Sequence, residues 1–109
     1  MKRTDRQNAL GMWTYIYWCI LNDDKRSVQS LKRAYAERHK INWERNCVFC
    51  ERYEPHCYDC PLARLSDFQR CGESSSLYDK AQLFSRNGEK QTSLEACLRI
   101  IEIIEETVR

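Results

Sequence analysis

Four cysteines in a C-x2-C-x6-C-x2-C pattern constrain the fold of this chain more than any other feature of its sequence. They are Cys47, Cys50, Cys57 and Cys60. Each C-x-x-C step directs two thiolates to the same side of one tight turn, and two such turns close a tetrahedron of sulfur ligands around a metal ion. The six-residue spacer is shorter than that of a typical zinc ribbon, so it predicts a compact, loop-rich cysteine knuckle.

Zinc is the ion that we expect in this knuckle, because tetrathiolate sites without redox machinery are usually structural zinc. An iron–sulfur cluster is the alternative, since it takes the same ligands, although a ferredoxin spacing is missing. Cys71 and His56 are candidate additional ligands, because Cys71 lies eleven residues beyond Cys60 and His56 adjoins Cys57. The spacing favours the plain four-cysteine set over either of them.

The cysteine count also bears on the cellular compartment. Seven cysteines in 109 residues would suit a secreted disulfide scaffold. However, the apolar run from Gln7 to Leu21 is rich in Trp and Tyr, and no small-residue cleavage site follows it. The same run is shorter than the roughly 20 residues that a bilayer span requires. We therefore expect a cytoplasmic protein with reduced thiols and no membrane partner, in which paired C-x-x-C motifs bind metal.

Helical periodicity on both sides of the cysteine segment predicts a mainly α fold, a small domain of about four helices that carries the metal-binding knuckle. We expect a single domain over 1–109, with helical parts at 5–40 and 76–109 and the knuckle at 42–72. The helices are expected at Asp5–Leu21, Lys25–Lys40, Leu77–Arg86 and Thr92–Arg109. With only 3 Gly and 2 Pro, a β-sandwich with its many tight turns is disfavoured.

Capping residues predict where these helices end. Asn22–Asp24 supplies N-cap residues for the second helix, and Thr92-x-x-Glu95 has the pattern of a capping box for the last one. The Asn87–Gly88 pair is a stop signal for the short helix before it.

The first and last helices are apolar on more than one face, so each is expected to be buried centrally or to lie at an oligomer interface. The two stripes of the first helix consist of Leu10, Trp13, Tyr17, Ile20 and Leu21, and of Met12, Ile16 and Cys19. The stripe of the last helix consists of Leu94, Cys97, Leu98, Ile101, Ile104 and Val108, widened by Ile100 and Ile103. Cys19 and Cys97 are expected to be small core side chains. The inner stripe of the second helix consists of Val28, Leu31 and Tyr35.

The second helix also offers a basic surface. The net charge of +2 is too balanced to indicate nucleic acid by itself, but three basic residues on this helix are spaced by seven and could grip phosphates. The candidate nucleic-acid or nucleotide-binding residues are Arg26, Arg33, Lys40, Arg45 and Arg52, with Lys25 and Lys32 beside the first three. A solvated charged face is the simpler interpretation.

Catalytic residues are not expected. A catalytic zinc keeps one coordination position open for water, whereas four thiolates close the shell. The sequence contains no H-E-x-x-H, no phosphate-binding G-x-x-x-x-G-K and no G-x-S-x-G motif.

The arrangement resembles a group of small cysteine-rich proteins that are encoded by bacteriophages and prophages and have no assigned function. The matching positions are an early Trp (Trp13 or Trp18), Trp43, Cys47, Cys50, Cys57, Cys60, Pro61, Cys71 and Gly72. The resemblance spans most of the chain, and its specific part is Trp43 to Gly72. It implies a phage-borne accessory protein in the host cytoplasm. The recurrence of a Cys71-like position in the group also implies that Cys71 lies near the metal.

These features lead us to expect a non-catalytic protein-interaction module, whose partner is a protein of a host system or a second copy of the chain. Binding of a nucleic acid or a nucleotide through the basic second helix is one alternative. An iron–sulfur redox or sensor protein is another.

Overall fold

A computed structural model describes residues 3–41 and 77–106, with side chains from Arg6 onward. Five helices make up this part of the chain: α1 (Arg3–Leu21), α2 (Val28–Arg38), α3 (Leu77–Ala81), α4 (Leu83–Asn87) and α5 (Lys90–Glu106). The described residues contain no strand. The prediction of a mainly α fold is therefore confirmed, whereas the predicted cysteine knuckle lies outside the described residues.

Helices α1 and α5 run antiparallel and form the largest contact among the described helices. They are joined at both ends. The Lys90 ammonium lies 2.8 Å from the Asp23 carboxylate just beyond α1. At the opposite end, the Arg6 guanidinium donates a hydrogen bond of 3.3 Å to the Glu105 carbonyl oxygen. A guanidinium in that position also opposes the partial negative charge of a helix C-terminus.

The hydrophobic core lies between α1 and α5, and the three shorter helices complete it. Helices α3 and α4 pack on α5, while α2 packs on α1. The largest fully buried side chains are Trp13, Met12, Ile16, Leu31, Ile100, Ile103, Ile104, Val28 and Cys97. Complete burial of one such aliphatic side chain contributes about 1.5–3 kcal/mol, so this cluster is the main stabilising element of the bundle.

Helix α2 is shorter at both ends than the sequence predicted. Its N-cap is Ser27, whose hydroxyl oxygen accepts a hydrogen bond of 3.1 Å from the Ser30 amide. The prediction that Asn22–Asp24 caps this helix is wrong, because those residues belong to the turn that follows α1. At the other end, Lys40 lies beyond the His39 C-cap in a left-handed conformation with φ of 55°.

The single helix predicted at Leu77–Arg86 is two short helices, α3 and α4, that meet at Gln82. In an uninterrupted helix, the Phe84 amide would donate to the Lys80 carbonyl. Here the Ser93 hydroxyl from α5 stands between them: it accepts from the Phe84 amide at 2.7 Å and donates to the Lys80 carbonyl at 3.3 Å. A side chain inserted into the helical hydrogen-bond ladder is a recognised cause of a break.

The boundary between α4 and α5 confirms one predicted signal and corrects another. Gly88 adopts the left-handed conformation, with φ of 82°, and is the C-cap of α4, as the Asn87–Gly88 pair predicted. Helix α5 then begins at Lys90, so Thr92 lies inside its first turn and the predicted capping box is wrong. The Glu95 carboxylate instead accepts a hydrogen bond of 3.1 Å from the Gln91 side chain.

Two leucines that the sequence assigned to inner stripes lie at the surface. Leu21 is 39 % exposed and Leu98 is 45 % exposed. On α5, Ile100 and Ile103 are as fully buried as Cys97 and Ile104, since this helix packs against α1, α3 and α4. The residues that appeared to widen the stripe therefore belong to the buried face, and Leu98 lies outside it.

Gly11 allows α2 to approach α1 closely. A Cβ atom at position 11 would overlap the Tyr35 hydroxyl. Glycine inside a helix costs about 0.5–1 kcal/mol relative to alanine. The contact between Tyr35 and the α1 backbone offsets that cost and fixes where α2 crosses α1.

Candidate functional site

The predicted metal ligands Cys47, Cys50, Cys57 and Cys60 lie outside the described residues, as do Arg45, Arg52, His56 and Cys71. Within residues 3–41 and 77–106, no group of three or more His, Cys, Asp or Glu side chains is placed to hold a metal ion. The four-cysteine metal site therefore stays a prediction from sequence.

The described residues on either side of the cysteine segment are both connected to α2. The Ile41 amide, three residues beyond the end of that helix, donates a hydrogen bond of 2.8 Å to its Ala36 carbonyl oxygen. On the far side of the segment, the Tyr78 hydroxyl of α3 donates a hydrogen bond of 3.3 Å to the Gln29 side chain of α2. The cysteine segment thus leaves from α2 and rejoins the bundle beside α2.

The two described cysteines have different environments. Cys97 is fully buried, and burial raises the pKa of its thiol to about 12, so it is a neutral, unreactive core side chain. This confirms the prediction for Cys97. Cys19 is only half-buried, and its side chain hydrogen-bonds with the Asp24 carboxylate.

Three of the predicted phosphate-binding residues are described, and Arg26, Arg33 and Lys40 are all exposed. The Arg26 guanidinium lies 2.8 Å from the Asp24 carboxylate and donates to the Tyr15 hydroxyl at 3.4 Å. The hydrogen bond from Arg26 lowers the pKa of the Asp24 carboxyl. Because Arg26 precedes α2 and Lys40 follows its C-cap, the three basic side chains do not share one helical face.

Lys32 is a buried cation in the interior of the bundle. It is 2 % exposed, and its ammonium lies 4.4 Å from the centre of the Tyr78 ring and 5.1 Å from that of Trp13. The two rings meet edge to face. Cation–π contacts of this kind contribute about 0.5–2 kcal/mol each. Among the described residues no carboxylate pairs with Lys32, so it joins α1, α2 and α3 through aromatic rings.

The prediction that Lys32 lies beside the outer basic face of α2 is wrong, because its side chain is buried. Val28, Lys32 and Ala36 are spaced by four along α2, and all three are buried. Side chains four residues apart lie on the same face of a helix. The four-residue spacing from the apolar Val28 is therefore the sequence signal that predicts a buried Lys32. The charge of Lys32 favours the opposite prediction of an exposed position.

A partly exposed row of aromatic side chains crosses from α1 to α2. The ring centres of Tyr15 and Tyr35 are 5.6 Å apart, and Tyr35 stacks on His39 with a separation of 4.1 Å. Trp18 lies one turn along α1 from Tyr15 and is 58 % exposed. Two residues of a helix turn about 200°, so Trp18 points away from the core positions Ile16 and Ile20. We call Tyr15, Trp18, Tyr35 and His39 the aromatic surface.

No protein-family model matches this chain, and no curated protein or solved structure is detectably similar to it. None of the described helices combines the length and the hydrophobicity needed to cross a membrane.

Proposed function

We propose that this chain is a phage-borne accessory protein that binds another protein and is not an enzyme, and that a structural zinc site stabilises it. The observation that carries the proposal is the aromatic surface, in which Trp18 is 58 % exposed and Arg26 contacts Tyr15. Trp, Tyr and Arg are the residue types that most often dominate the binding energy of protein interfaces. A large aromatic side chain directed away from the core has no role in folding the monomer, so a partner would explain it.

The zinc part of the proposal rests on Cys47, Cys50, Cys57 and Cys60. The flanks of the cysteine segment both meet α2, through Ile41 and through Tyr78. A metal that links the four cysteines would order the segment between these anchored flanks. Because such a site is not formed in the unfolded chain, the binding free energy of the metal would stabilise the folded state. Cys71 and His56 remain candidate ligands beside this set.

Binding of a nucleic acid or a nucleotide is less well supported. The heptad-spaced basic residues do not share a helical face, Arg26 is paired with Asp24, and Lys32 is buried. Arg33 and Lys40 alone supply little of the charge that a phosphate-binding surface needs.

Elemental analysis and native mass spectrometry of one purified sample test the metal. We expect one zinc per chain and no visible absorbance. Replacement of Cys57 by serine should abolish metal binding and lower the melting temperature sharply, because structural zinc contributes roughly 10 kcal/mol or more to folding. The Cys97→Ser variant is the control and should retain its zinc. A brown protein that contains iron and sulfide would replace zinc with an iron–sulfur cluster, and a metal-free chain with protected thiols would refute the site.

Photo-crosslinking in a bacterial host extract tests the interaction. The wild-type chain should capture a discrete protein that the Trp18→Ala variant captures at least about tenfold less well, as expected for an interface anchor. Thr14→Ala is the matched control, because Thr14 is also exposed on α1 one turn away. Equal capture by all three chains would contradict a role for Trp18.

A further inference from the structure

Two outer surfaces of the bundle carry opposite charge. Exposed basic side chains surround the outer side of α2 and its two ends rather than one helical face: Lys25, Arg26, Arg33, Arg38 and Lys40. We call them the basic surface; Arg26 within it is paired with Asp24, and Glu37 is the one exposed acid from residue 25 to residue 40. The acidic surface consists of the exposed Glu95, Glu102, Glu105 and Glu106 of α5, with the half-buried Arg99 as the one base from residue 94 to residue 106.

Neither surface is neutralised within the described part of the chain. Arg99 pairs with Glu102 and Glu106, at 3.2 Å and 3.7 Å. The Arg6 guanidinium lies at the end of α5 on the Glu105 carbonyl oxygen. These two positive charges do not balance the four carboxylates. On the basic surface, Arg33 and Arg38 form no ion pair with a described residue. Helix α2 packs chiefly on α1, and in the described residues no ion pair joins α2 to α5. The opposite charges of one molecule therefore do not meet each other.

Exposed apolar side chains accompany both surfaces. Leu98 is 45 % exposed, and it lies between Glu95 and Glu102, three and four residues away on the same side of α5. Trp18 is 58 % exposed on α1, the helix that separates α2 from α5. An interface needs such apolar side chains at its centre and charged ones around them. The charges then select the partner and its orientation.

We propose that the partner of these surfaces is a second copy of the same chain, with the basic surface of one protomer against the acidic surface of the other. Because α1 lies between the two surfaces, the contact is head-to-tail and joins different surfaces of the two protomers. Trp18 beside the basic surface of one protomer and Leu98 on the acidic surface of the other lose their contact with water there. The inference rests on the proposed function, because it identifies the partner of the interaction module.

Sedimentation velocity of the metal-loaded protein tests whether the dimer forms. We expect a dimer at low salt and a dissociation constant that weakens by at least about tenfold between roughly 50 mM and roughly 500 mM salt, since exposed charges are screened over that range. The Trp18→Ala variant should weaken the dimer at every salt concentration, whereas Thr14→Ala should not. A protein that stays monomeric at low salt overturns the proposal.

A charge-reversal experiment tests the pairing itself. The double variant Arg33→Glu/Arg38→Glu makes both surfaces acidic, and Glu95→Lys/Glu102→Lys makes both basic. Each variant alone should be monomeric, because like charges then face each other. An equimolar mixture of the two should form a 1:1 complex, since every contact is complementary again. The helical circular-dichroism spectrum and the metal content of each variant show that it is folded.

The outcomes separate this inference from the proposed function. Failure of the mixture to form a complex overturns the pairing of basic and acidic surfaces, even if the wild type dimerises in another way. If the wild type is monomeric but Trp18→Ala still loses a captured host protein, the interaction module stands and only the second copy is wrong. If neither self-association nor capture depends on Trp18, both proposals fail.

Discussion

Helices α1 and α5 have similar apolar content, but the bundle uses them differently. Both were expected to be apolar on more than one face. On α5, the apparent surplus of Ile100 and Ile103 is fully buried, because this helix packs against α1, α3 and α4. On α1, two large apolar side chains remain at the surface: Leu21, which the sequence assigned to a stripe, and Trp18, which belongs to neither stripe.

The difference shows that a wide apolar face has no single meaning in a sequence. On α5 it indicates several neighbours inside the same molecule, and on α1 it indicates a surface that the molecule does not cover itself. The distinction is thermodynamic, because a buried side chain contributes to folding. An exposed side chain of the same kind contributes only when a partner removes it from water.

The largest expected effect separates a buried apolar residue of α5 from an exposed one of α1. Truncation of Ile100 to alanine should cost about 2–5 kcal/mol of unfolding free energy, because it leaves a cavity in a closely packed core. Trp18→Ala should change the stability of the monomer by no more than about 0.5 kcal/mol. Urea unfolding of the two variants beside the wild type measures both. Similar losses would mean that α1 and α5 do not differ as described.

Ser93 on α5 provides the next test, since its hydroxyl holds the junction of α3 and α4. Ser93→Ala should cost about 1–3 kcal/mol, because the Phe84 amide and the Lys80 carbonyl lose their partner in a buried site. Amide hydrogen exchange at Phe84 should accelerate more than exchange elsewhere in α4. The control is Ser85→Ala, which removes a hydroxyl bonded to the Gln82 carbonyl and should leave exchange at Phe84 unchanged. Unaltered exchange at Phe84 in the Ser93 variant would rule out this role.

The buried Cys97 of α5 should make the stability of the protein depend on pH in alkaline solution. Burial raises the pKa of Cys97 from 9.0 to about 12, so the unfolded chain releases this proton at a lower pH than the folded chain. The resulting loss of stability begins above about pH 9, grows toward about pH 12, and has a slope of at most about 1.4 kcal/mol per pH unit. Below the lower value Cys97 has no effect on the pH dependence.

Unfolding of the wild type and of Cys97→Ala at a series of pH values isolates this contribution, because the other titrating groups are common to both chains. The wild type should lose more stability than the variant as the solution becomes alkaline. Parallel curves for the wild type and Cys97→Ala would show that Cys97 ionises normally in the fold.

The smallest expected effect concerns Lys32, which packs against Trp13 of α1. Lys32→Met should change stability by no more than about 1 kcal/mol, because the loss of the cation–π contacts is offset by relief from burying a charge. Lys32→Ala should cost about 1–3 kcal/mol, because it also removes the buried methylene stem. Thermal unfolding measures both. If methionine were as costly as alanine, the ammonium rather than the stem would stabilise the junction of α1, α2 and α3.

Periodicity predicted the helices well, and local signals predicted their ends unevenly. The Gly88 stop was correct because a left-handed C-cap depends on one residue without a side chain. The predicted N-terminal ends of α2 and α5 were wrong, because Asp24 and Thr92 are residue types that favour an N-cap but do not occupy one here. Helix α2 is capped by Ser27, and α5 begins two residues before Thr92. The break at Gln82 could not be predicted, since it depends on Ser93, which the fold brings back from a later helix.

The candidate site likewise contains residues that a local sequence pattern predicts and residues whose placement depends on the fold. The four-cysteine pattern is local in sequence and needs no fold to be recognised, and its metal stays a prediction. Trp18 belongs to neither of the two apolar stripes that the sequence predicts on α1, and it is exposed; its role as a candidate interface residue could not be predicted, since it depends on which neighbours the fold places beside it. Lys32 was predicted on the wrong face of α2 because it is charged, although its spacing from Val28 and Ala36 favours the buried face. The sequence does not show that two aromatic rings stabilise its ammonium in the interior through cation–π contacts.

Gly11 has a consequence for how freely this sequence can vary. The Tyr35 hydroxyl occupies the space of a side chain at position 11, so a library randomised there would be depleted of other residues by selection for folding alone. Position 18, seven residues further along the same helix, would tolerate nearly every residue under that selection and would be restricted only when binding is selected. The two positions together allow one deep mutational scan to separate the requirements of the fold from those of the interaction.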